Sequence, residues 1–233
     1  TLAGSLHEFR KMDCSLVGGH TIEGPMLTVG YTVLADQGGG TDALLTKGRL
    51  RQGDQLVLTK PLGSGILLAG HMQARCRAAW MPSLLSTMLL SNKAAMEVAS
   101  TVEISAVTDV TGFGFAGHLL EMLRASKLSA QLHLASIPLL PVVPELLGEG
   151  IESTLAPANR DAESAIEAAE ANRHEPAYKA LFDPQTCGGI LMGVAPGQVD
   201  QALALLRAQS DVPARVIGEV VANQGPDSAI VVA

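Results

Sequence analysis

Four times along this chain a regular run gives way to glycines mixed with hydroxyl or acidic side chains. The places are Gly18-Gly19-His20-Thr21, Lys60-Pro61-Leu62-Gly63-Ser64-Gly65, Thr108-Asp109-Val110-Thr111-Gly112-Phe113-Gly114 and Asp183-Pro184-Gln185-Thr186-Cys187-Gly188-Gly189. Glycine tolerates backbone conformations and close approaches that a Cβ forbids, so each stretch ends one element and redirects the chain. None fits GxxxxGK[ST] or GxGxxG, so neither the P-loop nor the dinucleotide-binding architecture is supported. What lies between these breaks must be short elements of both kinds.

The periodicity of the intervening residues bears this out. Leu2, Leu6 and Phe9 recur at helical spacing, predicting a helix over 2–13 that opens the chain as though it were a piece of something longer. Leu27, Val29, Tyr31 and Val33 alternate with Thr28, Gly30 and Thr32, the pattern of a strand with one apolar face. Asp36 to Thr41 reads as a linker, which places a domain boundary between about residues 37 and 53. Beyond it, strands are predicted at 55–60, 104–108, 130–134, 190–194, 215–221 and 228–232. Helices are predicted at 66–70, at 115–125, at 145–148, over the Ala/Glu-rich 161–171, at 177–182 and at 197–209. One further helix starts at Pro82-Ser83 and carries a stripe of Leu84, Leu85, Met88, Leu89, Ala95 and Met96. Strands and helices mix without a strict βαβ repeat, so the predicted class is α+β, a layered α/β arrangement, rather than a doubly wound sheet.

Composition narrows the function classes. Hydrophobic residues make up 47% and aromatics only 3%, so aliphatic side chains must fill the core of a compact globule. The longest uncharged stretch, Ala78 to Asn92, contains Pro82 and is too short for a spanning helix, so no membrane association is expected. A net charge of −7 with no Lys/Arg cluster argues against nucleic acid and allows a nucleotide ligand only where magnesium mediates. Cys14, Cys76 and Cys187 show no CxxC spacing and fit reduced thiols of a cytoplasmic protein.

Several residues admit two readings. Gly18-Gly19-His20 is either a ligand-facing turn or a plain connection. Asp109, at a strand's end before a helix, is either a corner for magnesium and phosphate or a capping residue that bonds locally. Lys60 either holds a phosphate or caps a strand at the surface, the second being favoured. Asp183-Pro184 reads as a turn former. His118 and Glu121 share a helix face and are expected to form a local pair rather than a site.

In order and spacing, VGGHT, LTKPLG, TDVTGFG and DPQTCGG together resemble the selenophosphate synthetase (selenide, water dikinase) family, within the wider aminoimidazole ribonucleotide synthetase-like superfamily. The resemblance implies an aminoimidazole ribonucleotide synthetase-like C-terminal domain over 53–233, preceded over 1–40 by the tail of an ATP-binding N-terminal domain. It implies a dimeric enzyme that converts selenide, ATP and water into selenophosphate, AMP and phosphate with Mg2+. By that analogy Gly18, Gly19 and His20 contact ATP in the partner subunit's site, and Asp109 is one of several magnesium-binding aspartates. The family's Gly-rich loop, with its Cys or selenocysteine and its Lys, lies outside this chain. No catalytic residue is therefore assigned, and the isolated chain is expected to be inactive. Cys187 stands where many relatives carry Ser, and Pro157-Ala158-Asn159-Arg160 replaces a more usual Thr-Glu-Arg-Asn. The rival expectations are another ATP-using member of the superfamily and a non-catalytic dimerisation or docking module.

Overall fold

The computed structural model describes residues 1–35, 44–209, 214–225 and 229–233. Two compact units divide at residue 42, Thr1–Asp42 and Ala43–Ala233. The expected linker at 36–41 lies outside the described residues.

Among its described residues the first unit holds one helix, α1 (Leu2–Lys11), with Arg10 and Lys11 in its last turn, where cations complement the helix dipole. Phe9 meets Tyr31 edge to face at 5.4 Å, and Ser5 and Tyr31 share a hydroxyl–hydroxyl hydrogen bond. The strand expected at 27–33 is not formed. Alternation supplies an apolar face, but a strand also needs a neighbour for its N–H and C=O groups. None of the described residues pairs with this segment, and Leu27 and Val33 stand 86% and 70% exposed.

The second unit is built on a sheet of β1 (Gln55–Leu58), β2 (Ile104–Asp109), β3 (Ser129–Leu132), β4 (Ile166–Glu167), β5 (Ile190–Val194), β6 (Arg215–Val221) and β7 (Ile230–Val232). The strand order is β2-β5-β1-β6-β3-β7-β4. Pairing is antiparallel from β2 to β3 and parallel where β7 joins β3 and β4. Its helices are α2 (Ser64–Met72), α3 (Met81–Leu89), α4 (Lys93–Ala99), α5 (Gly114–Ser126), α6 (Val143–Gly148), α7 (Ala156–Asn159), α8 (Glu170–Arg173), α9 (Pro176–Ala180) and α10 (Val199–Gln209).

Two separate apolar cores explain why β1 and β5 carry apolar residues at consecutive rather than alternate positions, Leu56-Val57-Leu58 and Ile190-Leu191-Met192. Leu56, Leu58 and Leu191 pack with Ile66 and Leu67 of α2, Phe115, Leu119 and Leu123 of α5, and Tyr178 of α9. Val57, Met192 and Val194 belong to the other core, with Ala95 and Val98 of α4 and Ala202 and Leu206 of α10. Helices thus cover both faces, and the layered α/β class holds. Few aromatics are available, and Tyr178 and Phe182 occupy the centre as an edge-to-face pair at 5.5 Å.

Three element predictions need correction. The helix expected through Met96 is two helices, because Leu90 turns extended (ψ 122°) and its carbonyl accepts from Lys60 Nζ at 2.7 Å. Leu85, Leu89 and Met96 accordingly stay exposed. The 161–171 helix is replaced by a 3-10 turn at Arg160–Ala165, β4 and the single turn α8. Parallel pairing of Ile166 with Ile230 outweighs the helix propensity of the Ala/Glu run. Leu134 lies in a 3-10 turn beyond β3, after His133 N donates the last rung to Ile217 O at 2.9 Å.

Candidate functional site

Three of the four glycine-rich stretches meet in the second unit, and most of their glycines serve the meeting. Val110 N donates to Gly189 O at 2.9 Å, extending the β2–β5 ladder past Asp109. A Cβ on Gly188 would fall 2.0 Å from Val110 O, one on Gly189 2.6 Å from Lys60 N, and one on Gly65 2.4 Å from Pro184 O. Gly114, at φ 69°, lies 2.9 Å by the same measure from Leu181 O. These glycines let backbone meet backbone and are not free to cradle a phosphate. Gly112 has nothing within 4 Å and keeps open space.

Polar side chains lock the meeting point. Gln185 Oε1 accepts from Gly63 N, Ser64 N and Ser64 Oγ at 3.1–3.2 Å, and Ser64 Oγ accepts from Thr186 N at 2.8 Å. Gln185 N donates to Thr111 O at 3.0 Å. Asp183 is more than a turn former. It is buried, and its Oδ2 accepts from Gly65 N and Gln185 Nε2, both at 3.0 Å, while Oδ1 has no hydrogen-bond partner among the described residues. Burial pushes its carboxyl up to about 7, against the pull of those hydrogen bonds.

Lys60 takes the structural role expected of it, but in the interior rather than at the surface. It is 2% exposed, and its ammonium donates to Leu90 O (2.7 Å) and Cys187 O (3.0 Å). Desolvation lowers its pKa, with Cys187 pulling weakly the other way. Two of its three donors go to protein carbonyls, which is a structural role.

On the solvent side of this interlock stand Asp109, Gly112, Phe113, Thr186 and Cys187, all exposed. Asp109 makes no side-chain hydrogen bond or ion pair with the described residues, so the capping reading of it fails. The N-cap of α5 is Phe113, without a side-chain cap, and the α5 amides Gly114 N and Ala116 N go to Thr111 O and Leu181 O. His118 and Glu121 do not form the local pair expected of them. Glu121 pairs with Lys47 at 2.7 Å, while His118 turns inward and its Nε2 accepts from Thr111 N at 3.1 Å. Burial pushes the imidazole below its usual range, against the attraction of Asp109. Asn159, which drew attention only as a departure from the family pattern, donates from Nδ2 to Gly112 O and Phe182 O, each at 2.9 Å. No sequence spacing connects 159 with 112; the contact exists only in the fold.

Gly18, Gly19 and His20 lie in the first unit, exposed, with open space around both glycines. Cys14, Cys76 and Cys187 are free thiols. Among the described residues, no three His, Cys, Asp or Glu side chains cluster to hold a metal ion. The carboxylate of Asp109 is the hard oxygen ligand magnesium requires, yet it can supply only part of a shell.

This sheet, covered by helices on both faces and carrying three interlocked Gly-rich loops, defines a class. Residues 51–230 match the C-terminal domain of AIR synthase related proteins, and the chain belongs to that family. Within it, the chain is similar to enzymes named selenide, water dikinase. It is 36% identical over 220 residues to that of Pelobacter propionicus, covering 94% of this chain and 63% of the relative. It is 37% identical over 212 residues to that of Paraburkholderia xenovorans, covering 90% and 59%. Among solved structures the fold is shared with the thiamine-monophosphate kinase of Stenotrophomonas maltophilia K279a (TM-score 0.58, 20% identity, 81% of this chain and 52% of that one). It is also shared with HypE, a hydrogenase maturation protein of E. coli (TM-score 0.59, 18% identity, 82% and 49%). The chain therefore spans about three-fifths of the curated relatives it matches.

Proposed function

We infer that this chain is the C-terminal part of an ATP- and Mg2+-dependent selenophosphate synthetase that turns selenide, ATP and water into selenophosphate, AMP and phosphate. Residues 1–40 belong to the tail of its ATP-binding domain and 53–233 form its C-terminal domain. The observation that carries the reading is Asp109: a carboxylate without partners among the described residues, exposed on a rim that three interlocked loops hold in place. A group kept rigid and unpaired is suited to a ligand that arrives.

Asp109 supplies one oxygen of a magnesium shell, and among the described residues no cluster of His, Cys, Asp or Glu completes it. Magnesium, when bound, neutralises the polyphosphate and aligns it for in-line transfer. Gly18 and Gly19, with no Cβ and open surroundings, leave backbone amides and His20 free to meet ATP in a homodimer's composite site. The relatives' name supports the reaction, and a HypE structure determined with ATP (TM-score 0.51) supports nucleotide use on this fold.

The test is an assay of the full-length parent for selenide-dependent release of AMP. ADP as the sole nucleotide product would assign the parent to another ATP-using branch instead. The 233 residues alone should form no AMP. Asp109→Asn in the parent should cost at least about 100-fold in kcat/KM, and wild-type activity of that variant would overturn the metal role.

A further inference from the structure

The sequence leaves open whether the threonines of TDVTGFG serve phosphate or metal, and for one of them the hydrogen bonds decide. Thr111 approaches the His118 ring with two atoms: its N lies 3.1 Å and its Oγ1 3.2 Å from Nε2. A backbone amide can only donate, so Nε2 carries no proton and accepts. The contact between Oγ1 and Nε2 is then fixed in direction as well, and the threonine hydroxyl donates to the ring. Its proton is spent. What Oγ1 keeps is lone pairs alone, which suit a cation and cannot donate to a phosphate oxygen. The ring that fixes this direction is itself enclosed. His118 is 4% exposed, and its other nitrogen, Nδ1, is buried without a partner among the described residues.

Thr111 also faces the right way. From Thr108 to Thr111 burial alternates, with Thr108 and Val110 inside, Asp109 exposed and Thr111 partly exposed. The backbone is tied down along this run by Val110 N to Gly189 O and by Gln185 N to Thr111 O. In extended chain, residues two apart share a face, and the burial pattern puts Asp109 and Thr111 on the more exposed side of this run.

We propose that Thr111 is a second oxygen ligand to the divalent cation at Asp109, and that His118 is a positioning residue that turns the Thr111 hydroxyl toward the metal. The inference rests on the magnesium role of Asp109. His118 touches neither metal nor substrate; it acts through the hydroxyl, as outer-shell partners of metal ligands do.

The experiment is a titration of the full-length parent with Mn2+ as a paramagnetic stand-in for Mg2+. Binding is followed by water-proton relaxation with a non-hydrolysable ATP analogue present, and thermal unfolding of each variant is recorded beside it. Wild type binds Mn2+ and Asp109→Asn abolishes the binding. Thr111→Val weakens binding about 10- to 100-fold, the range for outer-shell losses at metal sites, whereas Thr111→Ser stays within about threefold. His118→Leu weakens it like Thr111→Val, and His118→Gln, whose amide oxygen can replace Nε2 as acceptor, restores most of it. A purely structural His118 would lower the melting temperature and leave Mn2+ affinity untouched, which would overturn the inference. Loss of binding in Asp109→Asn with wild-type affinity in Thr111→Val would overturn the inference alone. Wild-type affinity in Asp109→Asn, or no binding by the wild-type parent, would overturn both it and the reading beneath it.

Discussion

A carboxyl with 1% of its surface exposed and one oxygen without a partner among the described residues holds its proton more tightly than it would in water, and Asp183 is that group. Burial raises its pKa to about 7 in the folded chain, against about 3.9 when unfolded. Between those values the native state binds the extra proton, so the free energy of unfolding falls as pH rises. The contribution is complete below about pH 4 and is lost as pH passes through about 7. Thermal unfolding from pH 4.5 to 8 should show the wild type losing stability more steeply than Asp183→Asn; parallel profiles would refute the assignment. The glycines of the same loops give a sharper contrast. Gly188→Ala drives a methyl against the Val110 carbonyl and should cost about 3 kcal/mol, the upper end for overpacking. Gly112→Ala meets open space and should change stability by less than about 0.5 kcal/mol. Denaturant midpoints of the two variants measure the difference.

At the scale of elements, Lys60 decides where α3 stops. Its ammonium sits on the Leu90 and Cys187 carbonyls, one just past α3 and one in the loop before β5. Lys60→Met fills similar volume but removes the donor from both part-buried acceptors. Each buried unsatisfied carbonyl costs about 1–3 kcal/mol, so the variant should lose at least about 2 kcal/mol in chemical denaturation. Wild-type stability would mean that water replaces the ammonium. The same contact shows why some elements were legible in the sequence and others were not. β1, β2, β5 and β6 declare themselves because they are apolar runs closed by Gly, Pro or Asp, and their pairing repeats what the local pattern favours. Leu84 to Met96 reads as one helix because the interruption is imposed by a lysine 30 residues earlier in the chain. The 161–171 run reads as helix because its competitor, Ile230, is distant in sequence. Asp109 stands out by its place at a strand's end. The Thr111–His118 bond does not, since residues seven apart suggest a helical face until the loop between them is seen to fold back.

At the scale of the whole molecule, the two units differ in what they bury. No residue of α1 is buried, and Val17, Ile22, Leu27 and Leu34 are each at least 80% exposed. The second unit closes two cores around one sheet, and every strand of that sheet comes from residues 55–232. A sheet whose strands and described core residues all come from one segment is expected to unfold as a unit. A chain of residues 43–233 should therefore give a single cooperative melting transition. Its slowest amide exchange should fall in β1 and β5, which lie inside the sheet and are buried on both faces. Exchange measured by mass spectrometry or NMR tests this directly. Uniformly fast exchange, or a broad non-cooperative melt, would show that the sheet depends on residues 1–42. The domain assignment at 53–233 would then have to be withdrawn, and with it the idea that Asp109 is held rigid by its own unit before any ligand arrives.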